Sequence, residues 1–183
     1  FSFPFFAEKV LGMRLSEFHK EAMEKINSRY LLVIWPRQHL KTTVFSKAYS
    51  IWKLWRERER DIAIVSSAAD QAKLIMEDIQ RIIEENEFLK PLIPDKREDT
   101  WNKFQMNTTT GNRLFIRPFN STARGISLDV LVLDDILREE GITPAQVKEF
   151  FWSIFYPTVQ TRRGQIILVG TPQTARDLLA ELE

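Results

Sequence analysis

Residues 35–43 read Trp-Pro-Arg-Gln-His-Leu-Lys-Thr-Thr and directly follow an apolar run at 31–34. A buried strand, a short turn and then a lysine followed by a threonine are how a phosphate-binding loop opens a helix. Backbone N–H groups of such a turn and of the helix N-terminus face a phosphate. In this pattern Lys41 reaches the β- and γ-phosphates, and the Thr42 hydroxyl ligates magnesium. The segment therefore predicts a nucleotide-binding loop.

Both glycines of the pattern GxxxxGK[ST] are replaced in this loop, so the interpretation requires independent support. A second motif provides that support. Residues 129–135 form an apolar run that ends in Asp134 and Asp135. Such a run predicts a buried strand with carboxylates at its C-terminal edge, where open α/β sheets bind ligands. One carboxylate there can hold Mg²⁺, and the next can polarise the water that attacks the γ-phosphate. The alternative is a strand followed by a solvated acidic turn, but the pairing with the lysine loop favours the nucleotide site.

The bulk composition limits the class of protein. The 183 residues are 44% hydrophobic and 28% charged, which fits one soluble globular domain over 1–183. A net charge of +1 produces no global field typical of a nucleic-acid binder, so any DNA contact must come from local patches. The absence of cysteine excludes disulfides and cysteine-ligated zinc. No apolar run approaches the ~18–20 residues that span a membrane, and no signal peptide is visible, so no membrane partner is expected. The chain stops within an expected helix, so we expect a fragment of a longer protein.

The elements that must position these motifs alternate between helices and strands. Apolar spacing predicts helices over 14–28, 41–57, 69–85, 144–155 and 175–183, the first of them capped near Ser16. Strands are predicted at 31–35, 61–67, 129–134 and 165–170, with a hairpin from 104–107 and 113–117 and a surface excursion over 86–101. This alternation predicts a mainly parallel α/β sheet flanked by helices.

The ordered motifs resemble the ATPase domain of the large terminase subunit, the DNA-packaging motor of tailed phages and related viruses, over roughly residues 15–179. The resemblance implies a P-loop NTPase of the additional-strand (ASCE) type that hydrolyses ATP with Mg²⁺ and drives double-stranded DNA into a capsid. It also implies a homo-oligomeric ring that works with the viral portal and the small terminase subunit, in the cytoplasm of the infected host cell at the procapsid. The family's C-terminal nuclease domain is absent from 1–183, so no nuclease activity is expected in this chain.

The loop at 36–42 resembles the divergent Walker A loop of this family, in which an early arginine is typical and the first glycine is commonly absent. That accounts for Trp35 but not for Leu40, because the family usually keeps a glycine before the lysine. A β-carbon at Leu40 could crowd the phosphate or resist the backbone angles that the loop needs. The resemblance implies that Arg37 senses the γ-phosphate and that the nucleotide is bound by Pro36, Arg37, Gln38, His39, Leu40, Lys41, Thr42 and Thr43.

The acidic strand resembles the Walker B motif, which implies that Asp134 and Thr42 hold the metal and that Asp135 is catalytic. Asp135 stands where the family usually has a glutamate, whose side chain is one methylene longer, and positional errors of about 1 Å are costly in catalysis. The downstream acids Glu139 and Glu140 are candidate substitutes, or else solvated surface residues.

Three further segments match the family. Arg124 in 123–125 is similar to the arginine finger, which stabilises charge on the γ-phosphate from a neighbouring subunit; the alternative is a surface arginine beside a turn glycine. Thr171 in 169–172 resembles the coupling motif, which relays loss of the γ-phosphate. Phe18 and His19 occupy the place of an aromatic–glutamine adenine motif, and the histidine puts adenine selectivity in question.

DNA contacts and two competing functions remain open at this level. Motors that translocate DNA grip its phosphates, and the candidate basic residues are Arg56, Arg58, Arg60, Lys96, Arg97, Arg162 and Arg163. Each is also compatible with a solvated surface charge. One alternative function is a helicase-like nucleic-acid-dependent NTPase. The other, motivated by Leu40 and Asp135, is a degenerate P-loop domain that serves a structural role without hydrolysis.

Overall fold

A computed structural model describes residues 1–36, 38–95, 100–119, 127–138, 142–172 and 177–183. The α-helices are α1 (Phe3–Lys9), α2 (Glu17–Glu24), α3 (Tyr49–Arg56), α4 (Ala69–Glu85), α5 (Pro144–Phe150), α6 (Tyr156–Gln160) and α7 (Leu178–Leu182). The strands are β1 (Tyr30–Ile34), β2 (Asp61–Ser66), β3 (Gln105–Asn107), β4 (Arg113–Pro118), β5 (Val130–Asp134) and β6 (Gln165–Gly170). Two π-helical segments, Thr42–Ala48 and Phe151–Phe155, run directly into α3 and α6, and short 3-10 turns cover Lys25–Asn27, Lys90–Leu92 and Ile136–Arg138.

The strands form one sheet in the order β1-β6-β5-β2-β4-β3. All neighbouring pairs are parallel except β3 and β4, which form the antiparallel hairpin that the sequence predicted. The predicted mainly parallel α/β sheet is therefore confirmed. Because β1, β5 and β6 run in the same direction, the segments that follow them meet at one edge of the sheet.

Both faces of the sheet are covered by helices, and the side chains of the central strands alternate between two cores. In β5, Val130 and Val132 pack with α1 to α4 on one face, whereas Leu131 and Leu133 pack with α5, α6 and α7 on the other. This two-sided burial explains why the central strands are continuous apolar runs in the sequence. The sheet is thus a rigid platform for the loops at its edges.

The helices depart from several of their predicted bounds. Helix α2 covers Glu17–Glu24 of the predicted 14–28, and α7 covers Leu178–Leu182 of the predicted 175–183. Helix α1 was not predicted, although its start carries Pro4 within the first turn and its Phe3, Phe6 and Ala7 are buried. The predicted helix over 41–57 begins as the π-helical segment Thr42–Ala48. The predicted helix that ended at 155 continues to Gln160 through the π-helical segment Phe151–Phe155 and α6. Pro157 lies in the first turn of α6, and its ring and missing N–H oppose an ordinary α-helical turn over the residues before it.

An ion-pair network joins the strands at the sheet edge opposite the loop after β1. Arg113 makes two bonds to Asp61, at 2.6 and 2.7 Å, and Arg162 bridges Asp61 and Asp129 at 3.0 and 2.9 Å. Burial raises the pKa of Asp129, but bonds from the Asp61 amide, Arg162 and Arg60 outweigh it and bring that pKa below its usual range. Two of the candidate DNA-contacting arginines, Arg60 and Arg162, thus have their guanidinium groups paired with these acids.

Among the residues that the structure describes, no helix combines the length and the apolar character required to cross a membrane.

Candidate nucleotide-binding site

Three strand ends build the candidate site. Ile34 of β1 pairs with Gly170 of β6, and Asp134 of β5 pairs with Val169 of β6. The residues that follow therefore lie side by side, and the Thr171 hydroxyl donates to the Trp35 carbonyl at 2.9 Å. The structure thus brings the loop after β1, the acidic end of β5 and the threonine after β6 to one place.

Lys41 lies at the centre of this arrangement and is largely buried. Its ammonium donates to the carbonyls of Trp35 at 2.6 Å and Pro36 at 2.8 Å, and to the Thr171 hydroxyl at 3.0 Å. The acceptors are the loop backbone and a side chain from the neighbouring strand. The ammonium is therefore held at the base of the loop by contacts that join β1 to β6.

Thr42 and Asp134 form a hydroxyl–carboxylate pair beside this lysine, with Thr42 Oγ1 donating to Asp134 Oδ1 at 3.1 Å. Asp134 is 3% exposed. Burial raises the pKa of the Asp134 carboxyl to about 6, helped by the charge of Asp135 and opposed by the Thr42 hydroxyl. Two hard oxygen donors at the edge of a cleft fit Mg²⁺, which binds through few protein ligands and keeps several waters. In the described part of the chain, no cluster of three or more His, Asp or Glu residues could hold a metal by itself.

The cleft above this pair has a volume of about 420 Å³. Its lining comes from the loop, the start of the following helix and the end of β5, and consists of Gln38, His39, Leu40, Lys41, Thr42, Thr43 and Asp135. Within the predicted loop, Pro36 contributes its carbonyl to Lys41, and residues 38–43 line the cleft. The position and size of the cleft suit a phosphate chain.

Asp135 has an unusual backbone conformation, with φ of +55°. Its amide donates to the Val169 carbonyl at 2.8 Å and thereby extends the β5–β6 ladder by one residue. Aspartate tolerates the left-handed region better than most residues do. The ladder bond and the turn together direct the chain out of the sheet and place Asp135 at the cleft.

The loop turns through two left-handed residues that are not glycine, Gln38 with φ of +64° and Leu40 with φ of +58°. A bulky leucine is strained there, because its β-carbon approaches the following carbonyl oxygen. The expected conflict between the leucine and the backbone angles of the loop is therefore present. The Leu40 carbonyl still accepts from the Val44 amide at 2.8 Å, which starts the helix.

Replacing Leu40 by glycine is expected to stabilise the unliganded protein by about 1 kcal/mol. Relief of left-handed strain contributes about 1–2 kcal/mol, and the greater freedom of glycine in the unfolded chain removes part of it. Little packing is lost because Leu40 is 43% exposed. The midpoint of denaturant unfolding measures the change. Leu40→Ala is the matched control, since it removes the side chain but keeps the β-carbon, and a glycine variant no more stable than the alanine variant contradicts the strain.

An aromatic cluster borders the loop. The ring of Phe18 lies 4.3 Å from that of Trp35, His19 lies edge-on to Trp35 at 5.4 Å, and Phe18 lies 6.2 Å from His39. His19 Nδ1 accepts from the Ser16 amide at 3.1 Å and closes the N-terminal cap of α2. This bond fixes the histidine ring and commits Nδ1, whereas Nε2 is buried and has no hydrogen-bond partner among the described residues. The predicted adenine-contacting role of the pair stays a prediction.

Several predicted site residues lie outside the described residues. They are Arg37 of the loop, Arg124 with its neighbours Ala123 and Gly125, and the downstream acids Glu139 and Glu140. The same holds for two candidate DNA-contacting residues, Lys96 and Arg97. Their predicted roles remain predictions from the sequence.

Two contributors to the site were missed by the sequence analysis. Trp35 was interpreted only as a replaced glycine, but its carbonyl accepts from both Lys41 and Thr171. No sequence pattern identifies a backbone acceptor of this kind. Ser46 is fully buried on the helix that follows the loop and adjoins Asp134. Its signal was a small polar residue four positions after Thr42, next to the apolar residues Val44 and Phe45.

The order and direction of the strands define a fold class. The loop-bearing strand β1 and the acidic strand β5 are separated by one strand, β6, in a parallel sheet covered on both faces. This is the architecture of the additional-strand P-loop NTPases, as the sequence predicted.

Comparisons with known proteins point to one group within this class. The large terminase subunit of Enterobacteria phage T3 is 27% identical to the chain over 148 residues, which cover 74% of the chain and 25% of that protein. The chain thus spans about a quarter of the length of this curated relative. No protein-family profile matches the chain.

Solved structures of large terminases share the fold. The large terminase of bacteriophage HK97 superposes with a TM-score of 0.71 at 16% identity, covering 92% of this chain and 36% of that one. An ATPase-domain variant of the large terminase of Thermus phage P74-26 superposes with a TM-score of 0.70 at 16% identity, covering 95% and 71%. The large terminase of another thermophilic bacteriophage, in complex with ATP-γ-S, gives a TM-score of 0.58 at 13% identity, covering 86% and 38%. The predicted resemblance to the ATPase domain of large terminase subunits is therefore confirmed.

Proposed function

We propose that the chain is the ATPase motor domain of a large terminase subunit, which couples hydrolysis of Mg·ATP to movement of double-stranded DNA into a viral capsid. The observation that carries the proposal is the hydrogen bond from Thr42 to Asp134 beside the buried Lys41, at the C-terminal edge of the sheet. The lysine that we propose to bind phosphate thus lies beside the hydroxyl and carboxylate that we propose to bind the metal. The sequence similarity to the large terminase subunit of phage T3 supports this motor over other P-loop NTPases.

Lys41 and the loop bind the phosphates of ATP in this mechanism. The Lys41 ammonium now contacts two carbonyls and a hydroxyl, which are neutral acceptors. Phosphate oxygens are charged and form stronger hydrogen bonds, so the ammonium exchanges acceptors when the nucleotide enters. Arg37, on the same loop, contacts the γ-phosphate. The negative charge of the triphosphate is thus offset on the protein side.

Thr42 and Asp134 are the residues that would hold the metal, through the hydroxyl and the buried carboxylate. When bound, Mg²⁺ would supply positive charge that offsets the charge of the phosphates. Asp135 orients the attacking water and accepts its proton. Thr171, which touches both Lys41 and the Trp35 carbonyl, is placed to sense loss of the γ-phosphate through its lysine contact.

The motor is completed between subunits. Arg124 reaches the γ-phosphate of a neighbouring subunit in a homo-oligomeric ring and stabilises the transition-state charge. The ring surrounds DNA and grips its phosphate backbone, so that several small basic patches act together. It works in the infected host cell at the procapsid, with the portal and the small terminase subunit as partners.

ATP hydrolysis by the chain, measured with Mg²⁺ over a wide range of protein concentration, tests the proposal. Specific activity is expected to rise with concentration, because Arg124 acts on a neighbour, and to vanish when EDTA removes the metal. Two inactive variants sharpen the test. Arg124→Ala lacks only the finger and Lys41→Ala lacks only the phosphate lysine, so mixing them should restore part of the activity. Absence of hydrolysis and of nucleotide binding at every concentration would favour the degenerate P-loop domain.

A further inference from the structure

Two buried serine hydroxyls lie on the helix that follows the phosphate-binding loop. Ser46 and Ser50 stand four and eight positions after Thr42, and both residues have 0% exposure. Neither hydroxyl makes a hydrogen bond of good geometry to another described residue. A buried hydroxyl without a partner destabilises a fold. A buried serine at such a position therefore lowers the stability of the unliganded protein.

The surroundings of the two hydroxyls differ. Ser46 lies one helical turn after Thr42, whose hydroxyl binds Asp134, on the segment that packs against β5. Its hydroxyl helps Thr42 to lower the pKa of the Asp134 carboxyl, against the larger effect of burial. Ser50 lies a further turn along the helix, in α3. The helix therefore carries one unused hydroxyl at the metal-binding carboxylate and one unused hydroxyl away from it.

Asp134 has more acceptor capacity than Thr42 fills. An ionised carboxylate has two oxygens and about four lone-pair sites, and Thr42 occupies one site on Oδ1. A single bond leaves the plane of the carboxylate free to rotate about its last side-chain torsion, which is a broad torsion. A second donor on the protein side would fix that plane, and a serine hydroxyl can turn about χ1 to become one.

We propose that Ser46 is a positioning residue for the metal site, whose hydroxyl donates to Asp134 and fixes the orientation of this carboxylate toward the metal and its waters. The inference rests on the proposed function. Partners that orient a metal-binding residue typically change metal affinity by about 10–100-fold when they are removed. Because the Asp134 carboxylate also accepts a hydrogen bond from Thr42, loss of the Ser46 hydroxyl is expected to weaken metal affinity by about 10-fold, the lower end of this range.

Ser46→Ala and Ser50→Ala form a matched pair for the test, since each removes one buried, unpartnered hydroxyl from the same helix. Binding of ATP-γ-S to the chain is titrated with Mg²⁺ by calorimetry, and thermal unfolding is recorded without ligand. Ser46→Ala should raise the Mg²⁺ concentration for half-maximal binding about 10-fold, whereas Ser50→Ala should change it less than about 2-fold. Ser50→Ala should unfold at the wild-type temperature or slightly above it, because it loses an unsatisfied hydroxyl. The thermal unfolding of Ser46→Ala verifies that this variant is folded under the conditions of the titration.

Nucleotide binding in EDTA shows whether Ser46→Ala affects only metal-dependent binding or also alters the phosphate-binding loop. Ser46→Ala should bind ATP-γ-S in EDTA as the wild-type chain does. Equal Mg²⁺ midpoints for the two serine variants, with normal Mg²⁺-dependent binding by the wild type, would overturn the role of Ser46 and leave the proposed function standing. A wild-type chain that binds no nucleotide at any Mg²⁺ concentration would overturn both.

Discussion

Lys41→Ala is expected to lower kcat/KM for ATP by about three orders of magnitude or more, and to weaken ATP binding at the same time. The ammonium faces phosphate oxygens both before and during transfer, so its loss raises the free energy of the bound ground state as well as that of the transition state. Alanine also removes the donor shared by the Trp35 and Pro36 carbonyls and the Thr171 hydroxyl. Steady-state hydrolysis together with calorimetric ATP binding measures both losses.

The control for this variant is Lys53→Ala. Lys53 lies in α3, which continues from the loop helix, and its ammonium pairs with Glu57 away from the cleft. The same charge is thus removed from the same helix without touching the site. Thr171 keeps its bond to the Trp35 carbonyl in Lys41→Ala, so this variant should stay folded, which thermal unfolding verifies. Retention of more than about a tenth of wild-type kcat/KM would exclude Lys41 as the phosphate-binding lysine.

The sheet was predictable because its central strands are buried on both faces. Residues 31–34, 130–133 and 166–169 are continuous apolar runs, and each forms or lies within a parallel strand. Parallel strands end at the same edge, so the lysine loop and the acidic motif had to meet. The sequence did not contain the order of the strands, because apolar runs of this kind pair with one another equally well.

The contacts within the site depend on a loop path that no short pattern specifies. Lys41 reaches the Trp35 and Pro36 carbonyls only because the loop turns back through left-handed Gln38 and Leu40. Strain at Leu40 was foreseeable, since the position usually requires glycine, whereas the same conformation at Gln38 was not. Local backbone angles of this kind are decided by tertiary contacts rather than by residue type.

The π-helical segment after the loop could not be predicted from the sequence either. An apolar face over 41–57 predicts a helix, but α- and π-turns differ by one residue per hydrogen bond and leave little trace in such a pattern. The burial of Ser46 depends on this local geometry and on the packing of the helix against β5. Its proximity to Asp134 is therefore a property of the folded chain, although a polar residue on an apolar helix face was a visible sign.

Asp135→Asn is expected to lower kcat for ATP by about 10²–10³-fold while leaving the Kd for ATP and the Mg²⁺ requirement within about 2-fold of wild type. Asparagine keeps the size of the side chain and tolerates the left-handed backbone conformation of this residue. The hydrogen bond from the backbone N–H of residue 135 to the Val169 carbonyl is also preserved, because it does not involve the side chain. The substitution thus removes a negative charge and a proton acceptor at the cleft without disturbing the end of β5, which is why binding and turnover should separate.

Two further variants decide whether the carboxylate itself is responsible. Asp135→Glu keeps the charge and should retain measurable turnover, because its longer side chain still presents a carboxylate to the cleft. Asp135→Ala loses the carboxylate and also strains the left-handed turn, so it should match the kcat of Asp135→Asn but unfold at a lower temperature. The two variants should differ in a measurable way. Lys41→Ala should lower both ATP affinity and turnover, whereas Asp135→Asn should lower turnover alone. Loss of ATP affinity in Asp135→Asn would instead assign this residue to nucleotide or metal binding, and leave activation of the water to another acid.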